Sequence, residues 1–445
     1  MEQDRYTISY RAAKVRQVME WIKAGQSGCL IGLRGGGKSN LLRFLLREEV
    51  RQYYLGQDYT GFAFVLVDLL ALTECTEWAV CELIFDRLLG QLHPLGIEEE
   101  IIEEMMSLQR EVMRSRDLLT AYRAVERCVD VLCRRPTQRV VLLFSEFDAV
   151  FRTLDPSLFR SLRAIRNAHK GQVSYVVVVA NDLASLRDDL TQVEHFYRLV
   201  SRNICILGPF NEADARHMIH YLASRRSAEL SDKDTANVIE LSGGHASLSL
   251  LWDTHYEGGL AELTPAFKDE PIVQAECRKI WESLSEGEQA ALCAQAGGAQ
   301  ADPDMLRHLK RRGVVREGRL GTSIFSPLFA HFVHQQAPPL SIGTVISASP
   351  RIVQISRRRI ENLTELEFEM LCYLYEHRGK VCTKDELIAN VYRRKYHRMK
   401  GGVTDEALQT LISRLRKKIE PDRRRPRYIV TVREEGYRFV EPREQ

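Results

Sequence analysis

Gly32-Leu33-Arg34-Gly35-Gly36-Gly37-Lys38-Ser39 has the residue types and spacing to hold a polyphosphate. Glycines let consecutive backbone N–H groups approach phosphate oxygens without a side-chain clash. A helix starting directly after them turns its positive end toward the same anion. Lys38 can reach β- and γ-phosphates, and the Ser39 hydroxyl can ligate Mg²⁺. Asn40, the next residue, is counted among the nucleotide-binding candidates. A second stretch, Val140 to Asp148, is an apolar strand ending in Ser145-Glu146-Phe147-Asp148. Asp-Glu is the usual ending, with Asp holding Mg²⁺ through water and Glu polarising the attacking water. Here Ser145 takes the Asp position and Glu146 remains. Asp148 would share the side of Glu146 on an extended strand. Either the protein holds its nucleotide as a slow switch, or Asp68 or Glu146 supplies the missing charge. Asn181, at the end of the strand Tyr175 to Ala180, is placed for a γ-phosphate or for a turn. Arg198 and Arg202 are either surface arginines or reach a nucleotide in trans, from a second copy.

These groups need a scaffold. Residues 27–33 read as a buried strand, and Ser39 to Arg51 as a helix with Leu41, Leu42, Leu45 and Leu46 at helical spacing. Phe62–Leu69, Arg139–Phe144 and Ser174–Ala180 are β-branched or apolar runs, as in strands buried on both faces of a parallel sheet. Asn203–Leu207 is a fifth strand candidate, and a long helical stretch runs from about Glu77 to Arg134. This alternation predicts a multidomain α/β protein with a P-loop parallel-sheet core over residues 1–210. A helical lid is expected over 211–270, helices and a hairpin over 271–336, and a Pro/Ser/Gly-rich linker over 337–349. A last domain spans 350–445.

Charge is distributed unevenly. Residues 350–445 carry 23 Lys and Arg against 15 Asp and Glu, which leaves the rest of the chain at net −5. A basic terminal domain on a mildly acidic body points to a polyanion partner. The N-terminus lacks the basic and apolar regions of a signal peptide, no apolar run is long enough to span a bilayer, and no CxxC pair suggests a zinc ribbon. A cytoplasmic protein with reduced thiols and no membrane partner is the expectation.

Tyr10-Arg11 before a helix and the P-loop, Ser145-Glu146-Phe147-Asp148, Leu207-Gly208-Pro209-Phe210 and Ser242-Gly243-Gly244-His245 occur in order. Together they resemble the STAND branch of AAA+-like ATPases, and most of all the prokaryotic ATPases related to origin-recognition proteins, over about residues 5–335. The resemblance implies ATP or ADP with Mg²⁺ as ligands. It adds Arg11 to the nucleotide contacts, puts Pro209 at the adenine pocket and His245 near the sensor-2 position. Ala246 departs from the usual Pro, and Ser145 from the usual Asp. By the same resemblance residues 271–336 are a winged helix, whose Arg311-Arg312-Gly313 would either contact DNA or belong to a module reporting the nucleotide state.

In the last domain, Thr364 with Glu367 and Thr383 with Glu386 form capping boxes. A third helix over about Asp405–Ile419 buries Leu408, Leu411, Ile412, Leu415 and Ile419. Its other face carries Gln409, Thr410, Ser413, Arg414, Arg416 and Lys417, an inventory suited to a major groove. A strand–turn–strand wing follows, with Arg433 at its tip. Residues 350–442 resemble the OmpR/PhoB-type winged helix of response regulators. That resemblance turns Thr410, Ser413, Arg414 and Arg416 to the groove and puts Thr431 and Arg433 on the backbone or minor groove of double-stranded DNA. The basic loop Arg393 to Gly402 adds candidate phosphate contacts. The expected function is a nucleotide-regulated transcriptional regulator with slow or impaired hydrolysis, self-associating when ATP is bound. The alternative is an oligomeric DNA-associated ATPase that recruits an effector in a mobile-element or defence system.

Overall fold

The structure is a computed structural model. It describes residues 6–134, 138–225, 230–251, 265–297, 301–318, 321–336, 344–348, 351–355, 358–360, 363–392, 405–420, 426–432 and 435–440. The chain divides into two compact units. One comprises residues 1–285 with 311–313, the other residues 286–310 with 314–445.

The first unit is built on five parallel strands: β1 (Gly28–Gly32), β2 (Phe62–Asp68), β3 (Arg139–Ser145), β4 (Val173–Val179) and β5 (Ile204–Leu207), in the order β2-β3-β4-β1-β5. Their side chains alternate between two cores. Ile31, Val67, Phe144 and Val177 face one; Leu30, Phe64, Leu143 and Val178 face the other. Helices cover both faces, which is why these strands read as continuous apolar runs. On the first face lie α4 (Glu77–Leu89), α5 (Glu99–Ser115) and α6 (Leu118–Leu132), into which the single helical stretch expected over 77–134 is broken. The breaks have local causes. Gly90 caps α4, and Asp117 starts α6 by accepting from the Thr120 N–H. The other face is covered by α1 (Ala12–Lys23), α2 (Lys38–Leu45) and α3 (Glu48–Leu55).

The first strand in sequence lies between β4 and β5, so the strand order reverses beside it. Open parallel sheets place ligand crevices at the carboxyl end of such a switch point. After β5 come α7 (Glu212–Arg225), α8 (Asp232–Ser242), capped by Gly243 in the left-handed region, and the short α9 (Ala246–Leu250).

The second unit begins with helices over Glu286–Ala296 and Pro303–Arg311, the latter reaching its last residue in the first unit. A two-stranded hairpin (Val315–Gly318 with Gly321–Ile324) and a helix over Pro327–Gln336 follow. Thr344–Ala348, inside the expected linker, instead forms a strand pairing antiparallel with Arg351–Ile355, which pairs with Arg358–Ile360. The run Thr-Val-Ile outweighs the Pro and Ser around it. The last helices are Glu365–Glu376, Lys384–Leu387 and Asp405–Ile419. A sheet joins Cys382–Thr383 to Gly436–Phe439 and that strand to Ile429–Val432.

The ten cysteines are unbonded. Eight are buried, Cys293 is half-buried, and Cys75 is exposed. Among the described residues no helix is long and apolar enough to cross a membrane, and no cluster of side chains suits a metal ion by itself.

Candidate nucleotide and nucleic-acid sites

At the end of β1 the chain turns through Gly35 at φ +71 and Gly37 at φ +88, conformations that favour glycine, and enters α2 at Lys38. Lys38 is only 4% exposed. Its Nζ donates to the carbonyls of Gly32 (3.1 Å) and Leu33 (3.3 Å) and lies 3.7 Å from Glu146 Oε1. Burial lowers its proton affinity; Glu146 and Asp148 partly restore it. Arg34 and Gly35 are exposed, and Ser39 and Asn40 half-buried, so the outer side of the turn faces solvent. Arg34 approaches Glu282 at 4.0 Å in an exposed pair.

The carboxylates divide their tasks differently from an extended strand. Glu146 has φ +50, a left-handed conformation costing a non-glycine residue about 1–3 kcal/mol. That turn separates it from Asp148, which begins a helix and accepts from the N–H groups of Ala180 (3.0 Å) and Asn181 (3.4 Å). Asp148 therefore ties the end of β4 to the end of β3 and does not share a face with Glu146. Asp68 sits opposite Ser145 in the register of β2 and β3, and the Ser145 hydroxyl donates to its Oδ1 at 2.6 Å. A carboxylate thus stands beside the serine, one strand over. Asn181 Oδ1 is buried without a hydrogen-bond partner.

Arg11 clamps the loop. Its guanidinium donates to Gly36 O (3.1 Å) and Gly208 O (2.9 Å) and lies 4.4 Å from the Phe210 ring centre. Its own backbone, at φ +46, gives its N–H to the Asp214 carboxylate. Pro209 follows the clamped carbonyl, and Phe210 N–H donates to Gly244 O. His245 is 1% exposed beside Gly35, and burial pushes its pKa down to about 3, so it is neutral at ordinary pH. It stands at the N-terminus of α9 without a side-chain cap, and Ser247 N–H donates to Gly35 O. Arg198 is exposed and paired with Glu194 on its own helix.

Arg312 lay outside the nucleotide contacts expected from sequence. It is 2% exposed, and its guanidinium donates to Ala180 O (2.7 Å) and Ser283 O (3.3 Å). This removes it from any DNA contact. No local pattern separates such an arginine from a surface one.

The residues present fit a nucleotide with its cation: glycines free of side chains, a buried amine on the loop's own carbonyls, a hydroxyl at Ser39, and carboxylates at Glu146 and Asp68.

The second site lies on the helix Asp405–Ile419. The five expected apolar residues are buried, and Gln409, Thr410, Arg414 and Lys417 are exposed, with Ser413 half-buried. Arg416 departs from expectation. Its guanidinium donates to Ile429 O (2.7 Å) and Thr431 Oγ1 (2.8 Å) and stacks 5.6 Å from the Tyr437 ring, so it braces the wing instead of joining the exposed face. Thr431 is exposed at that brace. Both capping boxes form, and the buried Glu367 of the first pairs with Lys418 at 2.6 Å. Buried Glu420 accepts from the N–H groups of Arg427, Tyr428 and Ile429, fixing the start of the wing to the end of the helix. Arg433 and the whole basic loop, Arg393 to Gly402, lie outside the described residues.

Residues 358–439 match the family described as "Transcriptional regulatory protein, C terminal". The alkaline phosphatase synthesis transcriptional regulatory protein PhoP of Bacillus subtilis is 41% identical over 81 residues, 18% of this chain and 32% of that protein. The transcriptional activator CadC of Escherichia coli is 35% identical over 109 residues, 24% of this chain and 20% of that protein. The chain thus spans a third or less of the length of these relatives. Among solved structures, a Walker-type ATPase of Pyrococcus abyssi is similar at 15% identity with a TM-score of 0.47, covering 73% of this chain and 95% of its own.

Proposed function

We propose that this chain is a DNA-binding transcriptional regulator whose contact with its operator is set by ATP or ADP held at the P-loop. The observation that carries the reading is the pairing, in one chain, of a buried P-loop lysine with an exposed polar helix face. Lys38, Gly35, Gly36, Gly37 and Ser39 receive the phosphates and Mg²⁺; Arg11, Pro209 and the neutral His245 line the nucleotide; Asn181 faces the γ-phosphate. Gln409, Thr410, Arg414 and Lys417 enter the major groove of a duplex, with Ser413 beside them and Thr431 and Arg433 on the flanking backbone.

Hydrolysis is slow in this reading, because Ser145 cannot hold a cation's water shell as a carboxylate does and Glu146 is engaged by Lys38. The nucleotide acts as a switch of the STAND kind. It shifts the chain between two states by binding one better than the other, and self-association in the ATP-bound state follows. Residues 271–336 act as a winged-helix relay. The test is DNA binding by the full chain across a salt series, with ATP, with ADP and without nucleotide, alongside Lys38→Ala. Affinity that changes with ATP in wild type and not in the variant is the expected result. Affinity indifferent to ATP sinks the switch.

A further inference from the structure

Residues 311–313 pack with the nucleotide-binding unit, while residues 310 and 314 on either side are counted with the second unit. Two anchors hold this three-residue turn. Arg312 donates to the carbonyl of Ala180, the residue before Asn181 at the end of β4. Gly313, at φ +74, lies so close to Pro209 that an added Cβ would meet the proline Cδ at 2.8 Å. Gly208, just before that proline, is the residue whose carbonyl Arg11 ties to Gly36 of the P-loop. The turn therefore touches both places where the nucleotide core would feel a phosphate: the strand end carrying Asn181 and the Gly-Pro turn clamped to the loop.

We propose that the turn Arg311–Gly313 reads phosphate occupancy, with Arg312 seated firmly on the Ala180 carbonyl when the P-loop carries a nucleoside triphosphate and loosely when it does not. The physical reason is charge. Arg312 and Lys38 are both buried cations, and the Arg312 guanidinium is fixed on the carbonyl next to Asn181. A phosphate chain on the loop brings anionic charge into this poorly screened interior, where a buried guanidinium is attracted to it. Seating of the turn and binding of the phosphates are then linked, each favouring the other by the same factor. Because the turn continues directly into the helix ending at Arg311 and the strand starting at Val315, its seating is passed on through the backbone. Arg312 acts here as a positioning residue. The inference rests on the nucleotide-binding reading above.

The test is hydrogen–deuterium exchange across residues 305–316 of the full chain, with and without ATP, beside titration of a fluorescent ATP analogue. Wild type is expected to bind the analogue and to slow exchange at the turn about tenfold with ATP, a typical coupling factor. Arg312→Ala should still bind, about five- to tenfold more weakly, and lose the ATP-dependent slowing. Arg312→Lys should keep part of it. Gly313→Val, which displaces the turn from Pro209 without changing charge, should lose it too and answers the question if Arg312→Ala does not fold. Analogue binding with unchanged exchange at the turn in wild type overturns this inference alone, as does full slowing in Arg312→Ala. No analogue binding by wild type overturns the nucleotide reading and this inference together.

Discussion

Lys38 Nζ and Glu146 Oε1 lie 3.7 Å apart at the base of the phosphate loop, and the lysine is almost completely buried. The carboxylate therefore competes with any phosphate for the same amine. Glu146→Gln removes the competitor while keeping the shape. It is expected to raise ATP affinity several-fold and abolish whatever hydrolysis wild type shows. Isothermal titration and a phosphate-release assay measure the two effects, and weaker ATP binding by the variant would contradict the competition.

Ser145 and Asp68 share a hydrogen bond across adjacent strands. Restoring the usual strand ending with Ser145→Asp places two carboxylates against each other, and like charges at that range are destabilising. The melting temperature should fall. Adding Asp68→Asn should recover most of the loss. Equal melting temperatures for the single and double variants would show that the two positions do not interact.

His245 has its pKa pushed from 6.5 to about 3 by burial. The unfolded chain then binds a proton below about pH 6.5 that the folded chain does not. Stability contributed by the neutral form is present above 6.5 and lost as pH falls, by up to about 1.4 kcal/mol per pH unit until about 3. The slope of thermal stability between pH 6.5 and 5 should be shallower in His245→Gln than in wild type. Equal slopes would mean the imidazole is not shielded.

Arg414 and Arg416, two positions apart, should behave differently. Arg414→Ala exposes nothing new and is expected to cost roughly 1–3 kcal/mol on a specific site with unchanged folding. Arg416→Ala releases the Ile429 carbonyl and Thr431 hydroxyl and should lower the melting temperature of the domain as well as its affinity. Lys417→Ala should reduce the salt slope of binding by about one. A melting temperature unmoved by Arg416→Ala would place that side chain back in the groove.

The phosphate loop, the five strands and the helix Asp405–Ile419 were legible because each is a local signal: glycine spacing, runs of β-branched residues, an apolar stripe. What stayed hidden is contact between segments far apart in sequence. Asp68 finds Ser145 only through strand register. Arg416 looks like its groove-facing neighbours until the wing folds over it, and nothing around Arg312 marks it as buried. The linker misread has another cause: Pro and Ser on either side masked a five-residue strand whose partner came only after Pro350.

That strand bears on where the chain can be cut. A fragment begun at Pro350 would lack Thr344–Ala348 and bare the backbone donors and acceptors of Arg351–Ile355 along one side. Such a naked border recruits the same border of another molecule, so the shortened piece would tend to clump or exchange segments, and a preparation of the final domain should start upstream of Thr344.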